Sequence, residues 1–393
     1  MAALPKVMLV GSIDIDARLE LMHFLSNNFD ISALGSLPTL QGKFSDQGFN
    51  YISYTLSRRA NPFLDIFTLI QLYFIFRRLK PHLVHAFDTK PCVWARIAAY
   101  LARVPVIIGT LPGLGSLYTN ENFINRLLRS IYERLQQLAC YVSDLTIFQN
   151  HDDARQFIEA GILSSQKVMV IPGSGVSTQL FAQEQVSDAK KAELRKELQI
   201  QPDKIVITMV SRIIKSKGVF EFMSAAQEVI THYPNARFLL VGPEDNESLD
   251  RLNADELKQL KQVVTWLGSR QDISSILAVS DIFVLPSAYR EGMPRVLLEA
   301  ASMGLPIVTT DSPGCREVVE NNINGFLIPT RDSSALREAL LHLIAKPQLR
   351  QVFGQISRER AVERFDFLKI ARRIHTVYEQ LLKHQALLQT TDL

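Results

Sequence analysis

Short apolar runs alternate with longer stretches in which apolar residues recur every three or four positions, along the whole 393-residue chain. The short runs read as buried strands and the longer stretches as helices. In the first half the strand candidates are KVMLVGS, HLVHAF, VPVIIGT, LTIFQN and VMVIPGS. In the second half they are IVITMVS, ARFLLVG, VVTWLG, DIFVLPS and LPIVTT. Strands separated by helical patterns predict parallel sheets covered by helices, an α/β architecture. Between the two sets lies STQLFAQEQVSDAKKAELRKELQIQPDK, a polar stretch with one short charged helix. The domain boundary is therefore expected near residues 176 to 190. Two sheets of about five strands each make two Rossmann-like domains, residues 1–178 and 190–365, with ligands expected in a cleft between them at the carboxyl ends of the strands. The tail, FDFLKIARRIHTVYEQLLKH, spaces Phe367, Ile370, Ile374, Tyr378 and Leu381 as a helix does, which predicts a last helix over 366–386.

The length fits two domains, each able to bury its own core. Hydrophobic content of 47 % and charged content of 21 % are ordinary for a soluble α/β protein. The start reads as a strand rather than a signal peptide. The most apolar window, FLDIFTLIQLYFIF at 63–76, is interrupted by Asp65 and falls short of the roughly 20 residues needed to span a bilayer. Cys92, Cys140 and Cys315 fit neither a disulfide framework nor a zinc site, so a reducing cytoplasm is expected.

Charge changes this picture in one place. The net charge of +3 comes wholly from residues 1 to 180, which hold 16 Lys+Arg against 13 Asp+Glu; the remainder holds 27 of each. Between Arg58 and Arg134 there are 11 basic residues and four acidic ones, Asp65, Asp88, Glu121 and Glu133. The stretch NFINRLLRSIYERLQQL, residues 122–138, repeats apolar positions at Phe123, Leu127, Ile131, Leu135 and Leu138, with Arg126, Arg129 and Arg134 on other faces. With the 63–76 window and Arg77, Arg78 and Lys80 behind it, this region is expected to meet an anionic membrane surface; the plainer explanation is that both helices simply cover the sheet. No nucleic-acid motif accompanies the charge, so nucleic acid is not an expected partner.

The candidate chemistry sits in SAYREGMPRVLLEAASMGLPIVTT, residues 287–310. It parses as a loop after DIFVLPS, a helix from Pro294, a stop at Gly304 and the next strand; proline suits a helix start and glycine its end. The free N–H groups of such a helix start attract phosphate. Glu291 precedes the helix and Glu299 lies roughly 7.5 Å along it. Two carboxylates so spaced can accept hydrogen bonds from vicinal hydroxyls at two points of one elongated ligand. Each glutamate alone is more simply a cap or a solvated residue; together with the flanking strands they point to a site. In VSRIIKSKGV, Arg212 and Lys217 follow the strand IVITMV, where a guanidinium fork and a mobile ammonium can clamp a diphosphate. Lys215 reads as solvated charge.

The pattern EGMP–x4–E from Glu291 to Glu299, with Arg212 and Lys217 upstream, resembles the nucleotide-sugar-dependent retaining glycosyltransferases of the GT-B fold, family 4, over nearly the whole chain. TLPGLGSLYT, SDLTIFQNHDD, IPGSGV and TTDSPGCREVVENNINGFLIP resemble the subgroup that adds hexoses or N-acetylhexosamines to polyprenyl-diphosphate-linked sugars. The resemblance implies that Glu291, Lys217 and Arg212 are catalytic, the cations neutralising the departing diphosphate and Glu291 holding hydroxyls of the transferred sugar. It implies donor binding by Glu299 at the ribose, by the backbone of Gly292, Met293, Pro294 and Arg295 at sugar and phosphates, and by Leu267, Gly268 and Arg270 at a uracil. Arg316 lies near the same cleft with its role open. No metal or other cofactor is implied; the co-substrate is a nucleotide sugar, with UDP as the nucleotide. The last helix would cross back onto the first domain.

The first domain is then expected to take a lipid-linked saccharide, at the inner face of the plasma membrane. Its acceptor-side candidates are Gly11, Arg18, His85, Lys90, Thr110 and Gly113. Gly11 stands alone where many family members have paired glycines, Thr110 and Gly113 occupy a neighbourhood where some have histidine, and His151 replaces a frequent proline after FQN. His85 ends a strand and is equally readable as a packing residue. Asp14-Ile15-Asp16 imitates a metal-binding DxD and is read as loop acid. A sugar-nucleotide epimerase of the same fold and a non-catalytic membrane scaffold are the competing readings; the second has no need of all four charged residues.

Overall fold

A computed structural model of the chain describes residues 3–57, 61–119, 123–246, 248 and 250–391. Arg58, Glu121 and Asn122 of the basic region lie outside the described residues. Two compact units are present: residues 1–171 with 370–393, and residues 172–369.

The first unit is built on β1 (Lys6–Val10), β2 (Asp30–Gly35), β3 (Asn50–Ser53), β4 (Leu83–Phe87), β5 (Val106–Leu111), β6 (Leu145–Phe148) and β7 (Val168–Val170). They form one sheet in the order β3-β2-β1-β4-β5-β6-β7, every pairing parallel. The sheet has seven strands where the hydrophobic pattern predicts five. The two additional strands, DISALG and NYIS, are short and mix Asp, Ser, Asn and Gly among their apolar residues, so no continuous apolar run marks them. The apolar window at 63–76 is the middle of a helix, Pro62–Leu79. Asn61 starts it by accepting a hydrogen bond from Leu64 N–H, Pro62 takes the first position, and Lys80 ends it in the left-handed conformation at φ +48°. Asp65, which breaks the run in sequence, is buried and pairs with Lys90 at 2.7 Å.

The second unit carries β8 (Ile205–Val210), β9 (Ala236–Val241), β10 (Thr265–Trp266), β11 (Ile282–Leu285), β12 (Ile307–Thr310) and β13 (Gly325–Ile328). Their order is β10-β9-β8-β11-β12-β13, again all parallel. The sixth strand, GFLI, falls outside the five apolar runs read as strands in this half. Both sheets carry the α/β, Rossmann-like plan that the periodicity predicts.

The units divide at Ile171–Pro172, ahead of the stretch 176–190 in which the polar composition places a boundary. Segment 172–187 packs with the second unit. Phe181 belongs to its core and its carbonyl accepts from Ser302 Oγ at 2.7 Å, while Val176 exchanges backbone hydrogen bonds with Phe365 and Phe367. The charged helix of the polar stretch is Asp188–Glu197. The last helix, Phe367–Thr391, contributes its residues from Ile370 on to the first unit.

Candidate active site

In the second sheet β8 and β11 are neighbours, in register Ile207 to Ile282, although β9 and β10 lie between them in sequence. The connections out of these two strands run to opposite sides of the sheet, which opens a crevice at their carboxyl ends. The segments leaving there are Ser211–Gly218 and Pro286–Arg295. Topology therefore brings together the two charged motifs.

Close backbone approaches fix the contact. Ser216 carbonyl accepts the N–H groups of Ala288 at 2.8 Å and Tyr289 at 3.0 Å. Gly218 adopts φ +82°, and a Cβ there would lie 2.1 Å from Pro286 carbonyl oxygen, so only glycine fits. Gly314 plays the same part from the loop after β12. It has φ +79°, and a Cβ there would come within 2.3 Å of Gly292 carbonyl oxygen.

On this frame Lys217 Nζ forms an ion pair with Glu291 Oε1, both side chains nearly buried. Ser287 Oγ donates to the same carboxylate oxygen at 3.0 Å, and Lys217 Nζ lies 5.2 Å from the centre of the Tyr289 ring. The ammonium is thus held by a carboxylate and an aromatic face. Such a pair fixes the position of both charges.

The helix runs Arg295–Ser302, with Pro294 as its extended N-cap. Glu299 is buried and receives Arg295 Nε at 3.0 Å, one turn earlier. Burial pushes the Glu299 carboxyl above its ordinary range, and the Arg295 guanidinium works against that rise. Met293 is buried, with its sulfur 3.0 Å from where a Cβ on Gly173 would be.

Arg212 stands apart from this group. Its Nη1 binds Asp245 Oδ2 at 2.6 Å, at the end of β9, and its side chain is 45 % exposed. Near β10, Leu267 N–H bonds Leu240 carbonyl at 2.9 Å, and Gly268 carbonyl accepts from Gly242 N–H at 2.8 Å. Gly268 turns at φ +67° with open space within 4 Å of its Cβ position. Arg270 is committed elsewhere, through two bonds to Asp272 at 2.8 and 2.7 Å and one to Glu197 at 2.8 Å. Those carboxylates hold its pKa above the ordinary value. Arg316 binds Asp311 at 2.8 Å.

In the first unit β1 and β4 are the corresponding neighbours, paired Val10 to Ala86. Gly11 N–H bonds Leu34 carbonyl, its own carbonyl accepts from Tyr54 Oη at 2.7 Å, and a Cβ there would lie 2.7 Å from Ile15 Cδ1. Arg18 stacks on Phe87, 4.6 Å from the ring centre. Lys90 is held by Asp65. Gly113 takes φ +145° just beyond β5.

His85 and Thr110 are corrected by burial. His85 has no exposed surface; its Nδ1 meets Tyr378 Oη at 2.6 Å and its Nε2 meets Thr110 Oγ1 at 2.7 Å. Both ring nitrogens are used inside the protein, so in this arrangement His85 meets no ligand, and Thr110 spends its hydroxyl on His85. In the Asp14–Asp16 loop, Asp16 pairs with Lys43 at 2.5 Å.

Four neighbours were not among the sequence candidates. Ser287 and Tyr289 lie inside the quoted stretch and are marked only by their spacing from Glu291. Asp245, 33 residues from Arg212, has no local signal beyond its place after a strand. In the first unit Asp88, at φ +70°, accepts from Ser12 N–H at 3.0 Å and Ser12 Oγ at 2.9 Å. Burial and the Asp14 charge push the Asp88 carboxyl up.

Two Rossmann-like units, one with a lysine–glutamate pair at its switch point and a second glutamate one turn along the next helix, define a GT-B glycosyltransferase. Residues 190–360 match the family described as glycosyl transferases group 1, and residues 6–150 match the description glycosyl transferase 4-like. The chain belongs to the group 1 glycosyl transferases. It is 31 % identical to the N,N'-diacetylbacillosaminyl-diphospho-undecaprenol alpha-1,3-N-acetylgalactosaminyltransferase of Campylobacter jejuni, over 87 % of this chain and 89 % of that one. It is also 31 % identical to the UDP-Gal:alpha-D-GlcNAc-diphosphoundecaprenol alpha-1,3-galactosyltransferase of Escherichia coli, over 82 % of each. Among solved structures it shares its fold with Anabaena Alr3699/HepE in complex with UDP and glucose, at TM-score 0.78 and 19 % identity, over 96 % of this chain and 100 % of that one.

Proposed function

We propose that this glycosyltransferase moves a hexose or N-acetylhexosamine from a UDP-sugar to a saccharide carried on a polyprenyl diphosphate, with retention at the anomeric carbon. The reaction would take place on the cytoplasmic face of the plasma membrane, in surface-polysaccharide or glycan assembly. The observation that carries the reading is the Lys217–Glu291 ion pair, set at the carboxyl ends of β8 and β11 with Glu299 on the helix that follows. The two relatives named for undecaprenyl-diphosphate-linked substrates support the acceptor class. The printed UDP-Gal of the second supports the nucleotide.

In this reading Lys217 exchanges its partner Glu291 for the donor diphosphate, and Glu291, released from the ammonium, accepts hydrogen bonds from hydroxyls of the transferred sugar. Glu299 takes the ribose hydroxyls. The bond between the anomeric carbon and the donor phosphate oxygen breaks on the face where the acceptor oxygen bonds. The acceptor's proton passes to a donor phosphate oxygen, so a glycosylated acceptor and a nucleoside diphosphate leave. Little acid–base chemistry falls to the protein. Its part is to neutralise the departing charge, and removal of one such preorganised contact typically costs about 3 kcal/mol, roughly a hundredfold in rate. Arg212 joins this work by leaving Asp245 for the nucleotide side of the diphosphate.

A panel of nucleotide sugars tested by thermal shift identifies the donor, because ligand binding raises apparent stability. The chosen donor is then incubated with a short-chain diphosphate-linked sugar, and the new linkage is read by NMR. Transfer with the donor's own anomeric configuration is expected, with turnover falling at least about a hundredfold in Lys217→Ala. An inverted product, or unchanged turnover in both Lys217→Ala and Glu291→Ala, overturns the mechanism.

A further inference from the structure

Right-handed crossovers place the helices Pro62–Leu79, Pro91–Leu101 and Phe123–Tyr141 on one side of the first unit's sheet, with the middle helix packed against both others. In helix Pro62–Leu79 the residues Asp65, Thr68, Leu72 and Phe76 are buried and mark the inward line. At about 100° per residue, Phe63, Ile66, Phe67, Ile70 and Phe74 fall on the opposite side. The second helix repeats the arrangement. Tyr132, Gln136, Ala139 and Cys140 are buried, while Phe123, Leu127, Ile131, Leu138 and Tyr141 lie within an outward arc of about 80°. All ten outward side chains are at least 47 % exposed, and Phe63 reaches 86 %. Apolar surface on this scale, gathered on one side of a unit, marks an interaction site rather than scattered exposure.

Charge says what meets it. Exposed Arg77, Arg78 and Lys80 close the first helix, and exposed Arg126 and Arg134 flank the stripe of the second. The acids within these two helices are Asp65 and Glu133, and each is turned to a partner, Lys90 at 2.7 Å and Tyr118 Oη at 2.8 Å. The outward face is therefore apolar and cationic. A second copy of the chain is a poor fit, because apposing two such faces brings like charges together with no outward carboxylate of these helices, among the described residues, to meet them.

We propose that this two-helix face is the surface by which the protein docks on an anionic bilayer, both helices lying in the interface plane. The aromatic and aliphatic side chains enter the headgroup–acyl boundary, and the arginines and lysine meet lipid phosphates. Both helices start at the carboxyl edge of the sheet, where β1 and β4 also end, so the lipid and the acceptor-side residues share one edge. This last point rests on the transferase reading; the docking does not.

Flotation with phosphatidylcholine vesicles, alone or with phosphatidylglycerol, tests the surface. The full chain should float with anionic vesicles at low salt and less so at high salt. Phe67→Ser/Phe74→Ser/Leu127→Ser/Ile131→Ser should lose at least tenfold in partition with an unchanged melting curve. Arg77→Glu/Arg78→Glu should lose the preference for anionic lipid. Leu180→Ser/Val352→Ser, exposed in the second unit, should float as the parent does. The quadruple variant should also keep transfer to a water-soluble short-chain acceptor and lose it on vesicle-borne acceptor. Absence of flotation at every salt, or quadruple-variant flotation equal to the parent, overturns the proposal. So does a dimer that becomes monomeric in that variant without any vesicle effect. A protein that floats but transfers nothing sinks only the transferase reading.

Discussion

The two units use the same device, a switch point between neighbouring parallel strands, and fill it differently. In the second unit the segments leaving β8 and β11 are pressed together by glycines, and the charged side chains between them are paired and nearly buried. In the first unit the corresponding ends of β1 and β4 hold a serine, an aspartate and an arginine stacked on an aromatic ring, while the histidine expected there points into the core. The difference is one of tolerance. Under the proposed function, a site for a diphosphate flanked by two sugars needs fixed charges, and rigid backbone contacts provide them. The first unit spends its exposed surface on apolar helices instead.

Glycine substitutions break this comparison most sharply. Gly218→Ala places a methyl group against Pro286 carbonyl at positive φ, and steric overlap adds to backbone strain of about 1–3 kcal/mol. A loss of roughly 3–5 kcal/mol is expected, visible as a large drop in melting temperature of the second unit. Gly161→Ala in the first unit meets nothing within 4 Å, and only its φ of +67° opposes it, so about 1 kcal/mol is expected. Denaturant melts of the two variants decide the matter. Equal losses would mean that the switch-point contacts do not differ from an ordinary turn.

The two cations sharpen it next. Lys217 is nearly buried against Glu291, whereas Arg212 is 45 % exposed and tied to Asp245. Lys217→Ala should therefore cost turnover at least about a hundredfold, and Arg212→Ala nearer tenfold with a larger rise in donor KM. Steady-state kinetics on the two purified variants give the ratio. An arginine loss as large as the lysine loss would place Arg212 at the reacting phosphate instead.

How much of this was legible follows from distance along the chain. Glu291, Pro294 and Glu299 are close in sequence, and helix geometry relates them, so their arrangement could be read directly. Lys217 could be placed because it follows a strong apolar strand. The pairing of Arg212 with Asp245 could not, since it depends on β9 lying beside β8. The same limit hid the fate of His85: β4 is buried on both faces, so alternation along the strand gives no side, and its partner Tyr378 lies 293 residues away. Strands β2 and β3 escaped for a different reason. Their pairing is set by neighbours already in the sheet, and four to six residues of mixed character carry too little pattern of their own.

The smallest expected effect separates buried titratable groups of the two units. His85 has its pKa well below 6.5 because burial disfavours the charged ring, with Arg18 and Arg96 adding repulsion. Unfolding lets it take up a proton, so its contribution is fully present above about pH 6.5 and is lost as pH falls toward the lowered folded value. Glu299 is shifted the other way, upward by burial, so it weakens the folded state as pH rises above about 4.5. Between pH 6.5 and 5.5 the histidine should lower stability with a slope of up to about 1.4 kcal/mol per pH unit. His85→Gln should melt lower at pH 7.5, having lost the Tyr378 and Thr110 contacts, yet fall less on acidification; Glu299→Gln should gain stability over the parent as pH rises above about 4.5. Melting curves at three pH values test both, and a His85→Gln slope matching the parent would show that the acid sensitivity arises outside the β4–β5 core.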